Sequence, residues 1–200
     1  TRSNDTATRV GPDGLIEKVR TNVVLYSEDW TNAVWAKTNV TATANATTNP
    51  LNAATTADAI FETIDDGQHN FYNSIGSYSA GTEITISFYA KANGRTKMRL
   101  NNGSSSITAN FDLSAVTATM TSGAGNPIIT SVGSGWYRCS ICFNSLGGGD
   151  YVAMNFQDDA FQNTYIGDVT KGMFFFGGQG ETGVLTDYIA TTTTAVSVGP

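Results

Sequence analysis

At 200 residues the chain is long enough to bury roughly 70% of its unfolded surface without a disulfide or metal scaffold, as one large domain or two small ones. Only 14% of it is charged, and the missing polarity comes from 29 Thr, 17 Asn and 21 Gly, which is the vocabulary of strands and turns rather than helices. The net charge of −6, carried by the body of the chain past residue 20, disfavours nucleic acid, and no run approaches the ~18 apolar residues of a membrane span.

The chain begins at Thr1 rather than Met, as expected of a processed product or part of something longer. Gly11-Pro12-Asp13-Gly14 puts Pro and Gly where a type I turn takes them, between Ala7–Val10 and Leu15–Val19. This predicts a β-hairpin arm over residues 1–19, outside a main domain spanning 20–200.

Next comes RTNVVLYSEDWTNAVWAK, Arg20 to Lys37, which concentrates Tyr26, Trp30 and Trp35 within ten residues. Ser27-Glu28-Asp29 can cap a helical turn running to Trp35, with Trp30 and Val34 on one face. Beyond it the hydrophobic period is two almost throughout. Strands are expected at Val40–Thr47, Ala57–Ile64, His69–Ile75, Glu83–Lys91 and Ile107–Leu113. Others are expected at Val116–Thr121, Pro127–Val132, Trp136–Phe143, Tyr151–Phe156, Lys171–Gly177 and Tyr188–Val198.

Asn93-Gly94 and Asn102-Gly103 are favoured tight-turn pairs, so residues 83–113 read as a three-stranded meander. About a dozen short strands at this spacing predict an antiparallel β-sandwich. Gly147-Gly148-Gly149 lacks the Lys-Ser/Thr that follows a phosphate cradle and reads as a turn.

Catalytic signals are sparse. There is no G-x-S-x-G elbow, and the single histidine, His69, follows Asp65-Asp66-Gly67-Gln68 and reads as a surface residue in a turn. Cys139 and Cys142 lie in a strand, where residues three apart point to opposite faces, so they read as small structural thiols. Asp158-Asp159 is the most suggestive acidic pair for glycoside hydrolysis, but neighbours in a strand diverge and a turn explains them better. Loop aspartates Asp150, Asp158, Asp159 and Asp168 leave a structural calcium open, without EF-hand spacing, and no other cofactor is expected.

Five segments in this order carry a resemblance: ATRVGPDGLIE (Ala7–Glu17), Arg20–Lys37, FYAKANGRTKMRL (Phe88–Leu100), VGSGWYRCSI (Val132–Ile141) and FGGQGETGVLTDYIATT (Phe176–Thr192). The chain resembles a module of tailed-bacteriophage virion proteins (head fibre, capsid decoration or tail fibre), itself similar to the jelly-roll carbohydrate-binding modules of secreted polysaccharidases. Relatives of that kind often carry an insertion between the GLIE arm and the RTN motif, absent here, and a WGAQLE motif, here Phe176-Gly177-Gly178-Gln179-Gly180-Glu181.

The resemblance implies a jelly-roll β-sandwich displayed on a virion surface, non-enzymatic, in contact with other virion proteins. A homotrimer is expected, since fibres and decorations are usually symmetric. It also implies that Tyr26, Trp30 and Trp35 form an aromatic plug on the core. The residues themselves offer a sugar site: with Ile84, Ile86, Phe88 and Ala90 facing the core, Tyr89 faces outward, and Arg99, Asn101, Asn155 and Gln157 on neighbouring strands can join it. That surface is expected to bind neutral polysaccharide weakly and multivalently. The alternatives are a binding domain of a secreted polysaccharidase and, third, a capsule depolymerase.

Overall fold

The computed structural model describes residues 8–10, 16–103 and 106–199, and none of these is helical. In chain order the first strands are β1 (Thr8–Val10), β2 (Ile16–Lys18), β3 (Arg20–Asn22), β4 (Ala36–Thr38), β5 (Val40–Thr48) and β6 (Thr55–Glu62). They are followed by β7 (Asp66–Gly67), β8 (Asn70–Tyr78), β9 (Glu83–Asn93), β10 (Lys97–Asn101), β11 (Thr108–Asp112) and β12 (Thr117–Ser122). The last six are β13 (Gly125–Gly133), β14 (Trp136–Asn144), β15 (Gly148–Gln157), β16 (Tyr165–Ile166), β17 (Gly172–Thr182) and β18 (Val196–Val198).

Two six-stranded antiparallel sheets form a jelly-roll sandwich: sheet I in the order β12-β11-β10-β15-β8-β4, and sheet II in the order β13-β14-β9-β17-β6-β5. Period-two alternation fills the space between them. Phe71, Met98, Leu100, Phe111, Met154 and Phe156 come from sheet I, and Ile60, Ile84, Ile86, Phe88, Ile141 and Phe175 from sheet II, all buried in one cluster. Cys139 joins that core while Cys142 points away from it, and both thiols are free. Burial pushes the Cys139 thiol far up, out of reach of thiolate chemistry.

β1 and β2 form an antiparallel pair, registered Thr8↔Lys18 to Val10↔Ile16, in a two-stranded sheet of their own. The predicted turn at residues 11–14 lies outside the described residues.

Three expectations are corrected. The meander over 83–113 does not form: β9 pairs with β14 and β17 in sheet II, and after Asn93-Gly94 the chain crosses to β10 in sheet I. A tight-turn pair reports that the chain reverses, not which sheet receives the next strand. The meander lies one strand later, in β10-β11-β12.

The helical turn at Ser27–Trp35 is instead a run of non-helical turns built on Asp29, whose Oδ1 accepts hydrogen bonds from the backbone amides of Thr31 and Asn32. Val34 is consequently exposed while Trp30 is buried. Of Tyr188–Val198 only Val196–Val198 is strand, paired with β3. Residues 188–192 form no strand: Gln179 Oε1 accepts from the Ile189 amide and Ser27 Oγ from the Thr191 amide, and the Thr191 and Thr192 carbonyls accept from the Ser27 and Tyr26 amides.

Candidate functional site: a groove on the outer face of sheet I

The alternation that buries Phe71, Met98, Met154 and Phe156 must send their neighbours outward. Register then lines them up in rows. Asn110, Arg99, Asn155 and Asn70 form one row across β11, β10, β15 and β8, and Thr108, Asn101, Ala153 and Tyr72 form the next. Tyr151 stands two residues further along β15. The result is an open groove of about 370 Å³ whose polar lining is Gln68, Asn70, Arg99, Asn101 and Asn155, with Tyr72 and Tyr151 as its aromatics.

The tyrosine rings meet edge to face, centroids 5.6 Å apart and planes at 83°. Gly103 makes room for them: a Cβ there would sit 2.3 Å from Tyr151 Cδ2, and its φ of +84° lies in the glycine-favouring region. Asn101 Oδ1 accepts from the Gly103 amide at 2.8 Å, fixing the turn that carries it.

Of the five sequence-predicted binding residues, the groove gathers Arg99, Asn101 and Asn155. Gln157 lies on the same face and, like Asn101 and Asn155, is buried; what sets it apart is that its Nε2 donates to Asn110 Oδ1 and the Phe161 carbonyl, holding the loop after β15. Tyr89 is misplaced by the meander error. It sits on the outer face of sheet II, 4% exposed, in a second cluster with Ala57, Trp136 and Phe176. Arg138 lies over its ring at 5.4 Å.

Tyr72, Tyr151 and Asn70 were missed. The signal was available: Phe71 and Val152 are core residues, so Asn70, Tyr72 and Tyr151 share the outward parity of Asn155.

Trp30 and Trp35 are buried with centroids 4.1 Å apart, against Phe71 and Phe175. Tyr26 is only half-buried, with φ of +49°, and contributes its carbonyl to the Trp35 indole N–H at 3.0 Å. It lines a second cleft of about 340 Å³ beside Glu28 and Asp29. There burial pushes the Glu28 carboxyl up, against a hydrogen bond from Tyr188, while Asp29 Oδ1 is spent on its own turn.

His69 is not a surface residue: it is fully buried, Nδ1 facing the Asn39 carbonyl at 2.9 Å and Nε2 the Tyr165 carbonyl at 3.2 Å. The aspartates considered for calcium do not fit a shared cage, since no three His, Cys, Asp or Glu side chains come together among the described residues. Asp150 is bonded to Asn102 and Ser145, Asp158 to the amides of Ala160 and Gln162, and Asp168 to Thr170.

No protein-family model matches the sequence, and no curated protein matches it. Among solved structures, the chain is similar to the enzymatically active domain of bacteriophage CBA120 tailspike protein 4, at 16% identity and a TM-score of 0.48 over 80% of this chain and 21% of that one. It is also similar to the CBM22-1–GH10 modules of Clostridium thermocellum endo-1,4-β-D-xylanase 10B, solved with xylohexaose, at 17% identity and a TM-score of 0.37 over 88% of this chain and 30% of that one. The chain therefore spans less than a third of either.

Proposed function

We propose that the chain is a non-enzymatic polysaccharide-binding module, and that the groove on sheet I is its binding face. One observation carries this reading: two tyrosines flank a row of amides and a guanidinium on an open sheet face. Aromatic faces stack on pyranose rings, and amide and guanidinium groups bond sugar hydroxyls. Asn70 and Asn155 make no side-chain hydrogen bond to any described residue; Asn70 is half-buried and Asn155 buried, so Asn70 is the more accessible of the two amides. Among the described residues no Asp, Glu or His lines the groove, so none there supplies the paired carboxylates that glycoside hydrolysis requires.

On the five-segment resemblance, the module is displayed on a tailed-phage virion, as head fibre, decoration or tail fibre, where many copies compensate for weak single sites. Such display goes with a homotrimer. A binding domain of a secreted polysaccharidase would use the same groove as a monomer, and sedimentation of the isolated chain separates the two. Release of reducing ends from host capsule would replace both readings by a depolymerase.

Affinity electrophoresis against a panel of bacterial and plant polysaccharides tests the groove itself. Tyr151→Ala and Tyr72→Ala are each expected to weaken retention about tenfold, at ~1–3 kcal/mol per stacked ring by analogy with other ring-on-aromatic stacking. Gly103→Ala deletes no groove group, yet it should weaken retention by displacing Tyr151. Wild-type protein that no polysaccharide retards would refute the proposal, and retention unchanged in both tyrosine variants would move the site elsewhere.

A further inference from the structure

Of the eight Lys and Arg side chains among the described residues, four are ion-paired, and of the four that are not (Lys37, Lys91, Arg99 and Arg138) Arg99 is the one that lines the groove. Arg95 is paired with Glu62 at 2.5 Å, Lys97 with Asp112 at 3.1 Å, Arg20 with Asp187 at 3.9 Å and Lys171 with Asp168 at 4.0 Å. Arg99 forms no ion pair and donates no hydrogen bond to any described residue. Its Nε is buried without a partner. Burial without a compensating charge draws its guanidinium below the usual arginine range.

A half-buried, unpaired guanidinium is costly for the free protein. Its neighbours in the cross-strand row, Asn155 and Asn110, are neutral, and among the described residues it is the only ionic group in the groove lining. The groove thus presents one positive charge on a chain of net charge −6.

We propose that the ligand is an acidic polysaccharide, and that Arg99 receives a sugar carboxylate of the uronate type. This rests on the groove being the glycan site. The Nε–H and a terminal N–H of a guanidinium form a fork that fits the two oxygens of a carboxylate, and a carboxylate satisfies both the orphaned Nε and the unpaired charge at once. A hydroxyl would satisfy only the first. Asn155 and Asn70, next in the row, are placed to bond hydroxyls of the same sugar or the next, while Tyr72 and Tyr151 supply the stacking surface.

The acidic body makes this selective. General attraction of a polyanion to the surface is opposed by the net charge, so binding must come from the groove. This departs from the neutral polysaccharide expected from the sequence.

The test uses the full chain and three polyuronates, alginate, polygalacturonate and hyaluronan, each beside its carboxyl-reduced form, with dextran sulfate as a further arm. Retention by at least one polyuronate, lost on carboxyl reduction, is the expected result. Arg99→Gln should weaken that retention roughly 10- to 100-fold, the size of a lost charge-assisted pair, and Arg99→Lys should restore only part of it.

Arg99→Gln should also melt no lower than wild type, because it removes an unpaired buried charge; a clear drop in Tm would make Arg99 a structural member and overturn the assignment. Equal retention of the native and reduced polymers would overturn the acidic-ligand inference while leaving the glycan reading intact. Retention by dextran sulfate alone would overturn the carboxylate. No retention by any of the seven polymers would overturn the inference, and only the wider panel decides the glycan reading.

Discussion

Arg95→Met is expected to cost about 3–5 kcal/mol of stability at pH 7, because it strands a carboxylate in the interior. For a domain of this size that is on the order of 10 °C in Tm. The Glu62 side chain is fully buried, and among the described residues Arg95 is the only cation that meets it, Nε to Oε1 at 2.5 Å and Nη2 to Oε2 at 3.0 Å. Tyr165 Oη donates to Oε1 at 2.7 Å and the Asp168 amide to Oε2 at 2.9 Å.

Burial alone would lift the Glu62 carboxyl; these hydrogen bonds and the adjacent charge outweigh it and hold the group below the usual carboxylate range. With a folded pKa below the unfolded one, Glu62 contributes stability above about pH 4.3, and that contribution is lost as pH falls through the folded value. In Arg95→Met burial prevails and the sign reverses: the folded state binds the proton more readily than the unfolded state, so the variant recovers stability as pH falls from 7 toward 5. Urea unfolding at both pH values should show the deficit shrinking with acid, and Arg95→Met/Glu62→Gln should regain part of it at pH 7. A deficit independent of pH would mean that Glu62 is not the group responsible. The network also reaches the groove, because Tyr165 in β16 pairs with Gly67 in β7, beside the groove residue Gln68, and its carbonyl faces His69.

How far the sequence discloses this molecule depends on the range of the interaction involved. Alternation is a local property, and it placed Ile84, Ile86 and Phe88 in the core and Arg99, Asn101 and Asn155 on one outer face. Sheet assignment is not local. Whether β10 follows β9 within one sheet or across the sandwich is decided by which core surface each must cover, and the wrong choice carried Tyr89 to the wrong side.

His69 was misread for a related reason. Asp65-Asp66-Gly67 is indeed turn-like, but the carbonyls of Asn39 and Tyr165 that bury the imidazole come from 30 and 96 residues away. The quoted segments did carry a contact: Asn22 of the RTN motif donates to the Gly178 and Ile189 carbonyls and accepts from the Val24 and Gly180 amides, clasping the Phe176–Thr192 segment. All four of these hydrogen bonds are made inside the protein, so two segments more than 150 residues apart are joined through one buried amide.

Trp30→Ala is expected to cost about 3–5 kcal/mol, the range for emptying a buried aromatic site. Its side chain has no exposed surface and touches Trp35, Phe71 and Phe175, so no one neighbour can collapse into the cavity without leaving another. The backbone has been shaped around the pair: a Cβ on Gly178 would lie 3.3 Å from the Cη2 atoms of both tryptophans, tight enough to push them. Phenylalanine substitutions separate the two rings. Trp35 Nε1 donates to the Tyr26 carbonyl, whereas Trp30 Nε1 is buried without a partner. Trp35→Phe therefore loses a hydrogen bond worth ~1 kcal/mol as well as volume, and Trp30→Phe removes an unsatisfied donor while losing volume. The order of stability should be wild type, Trp30→Phe, Trp35→Phe, then Trp30→Ala, read from denaturant midpoints at constant m. At 0% and 1% exposure neither ring offers a face to a sugar, so Trp30→Phe and Trp35→Phe should keep wild-type polysaccharide retention; loss of retention in a variant that still melts cooperatively would make the plug a ligand platform after all.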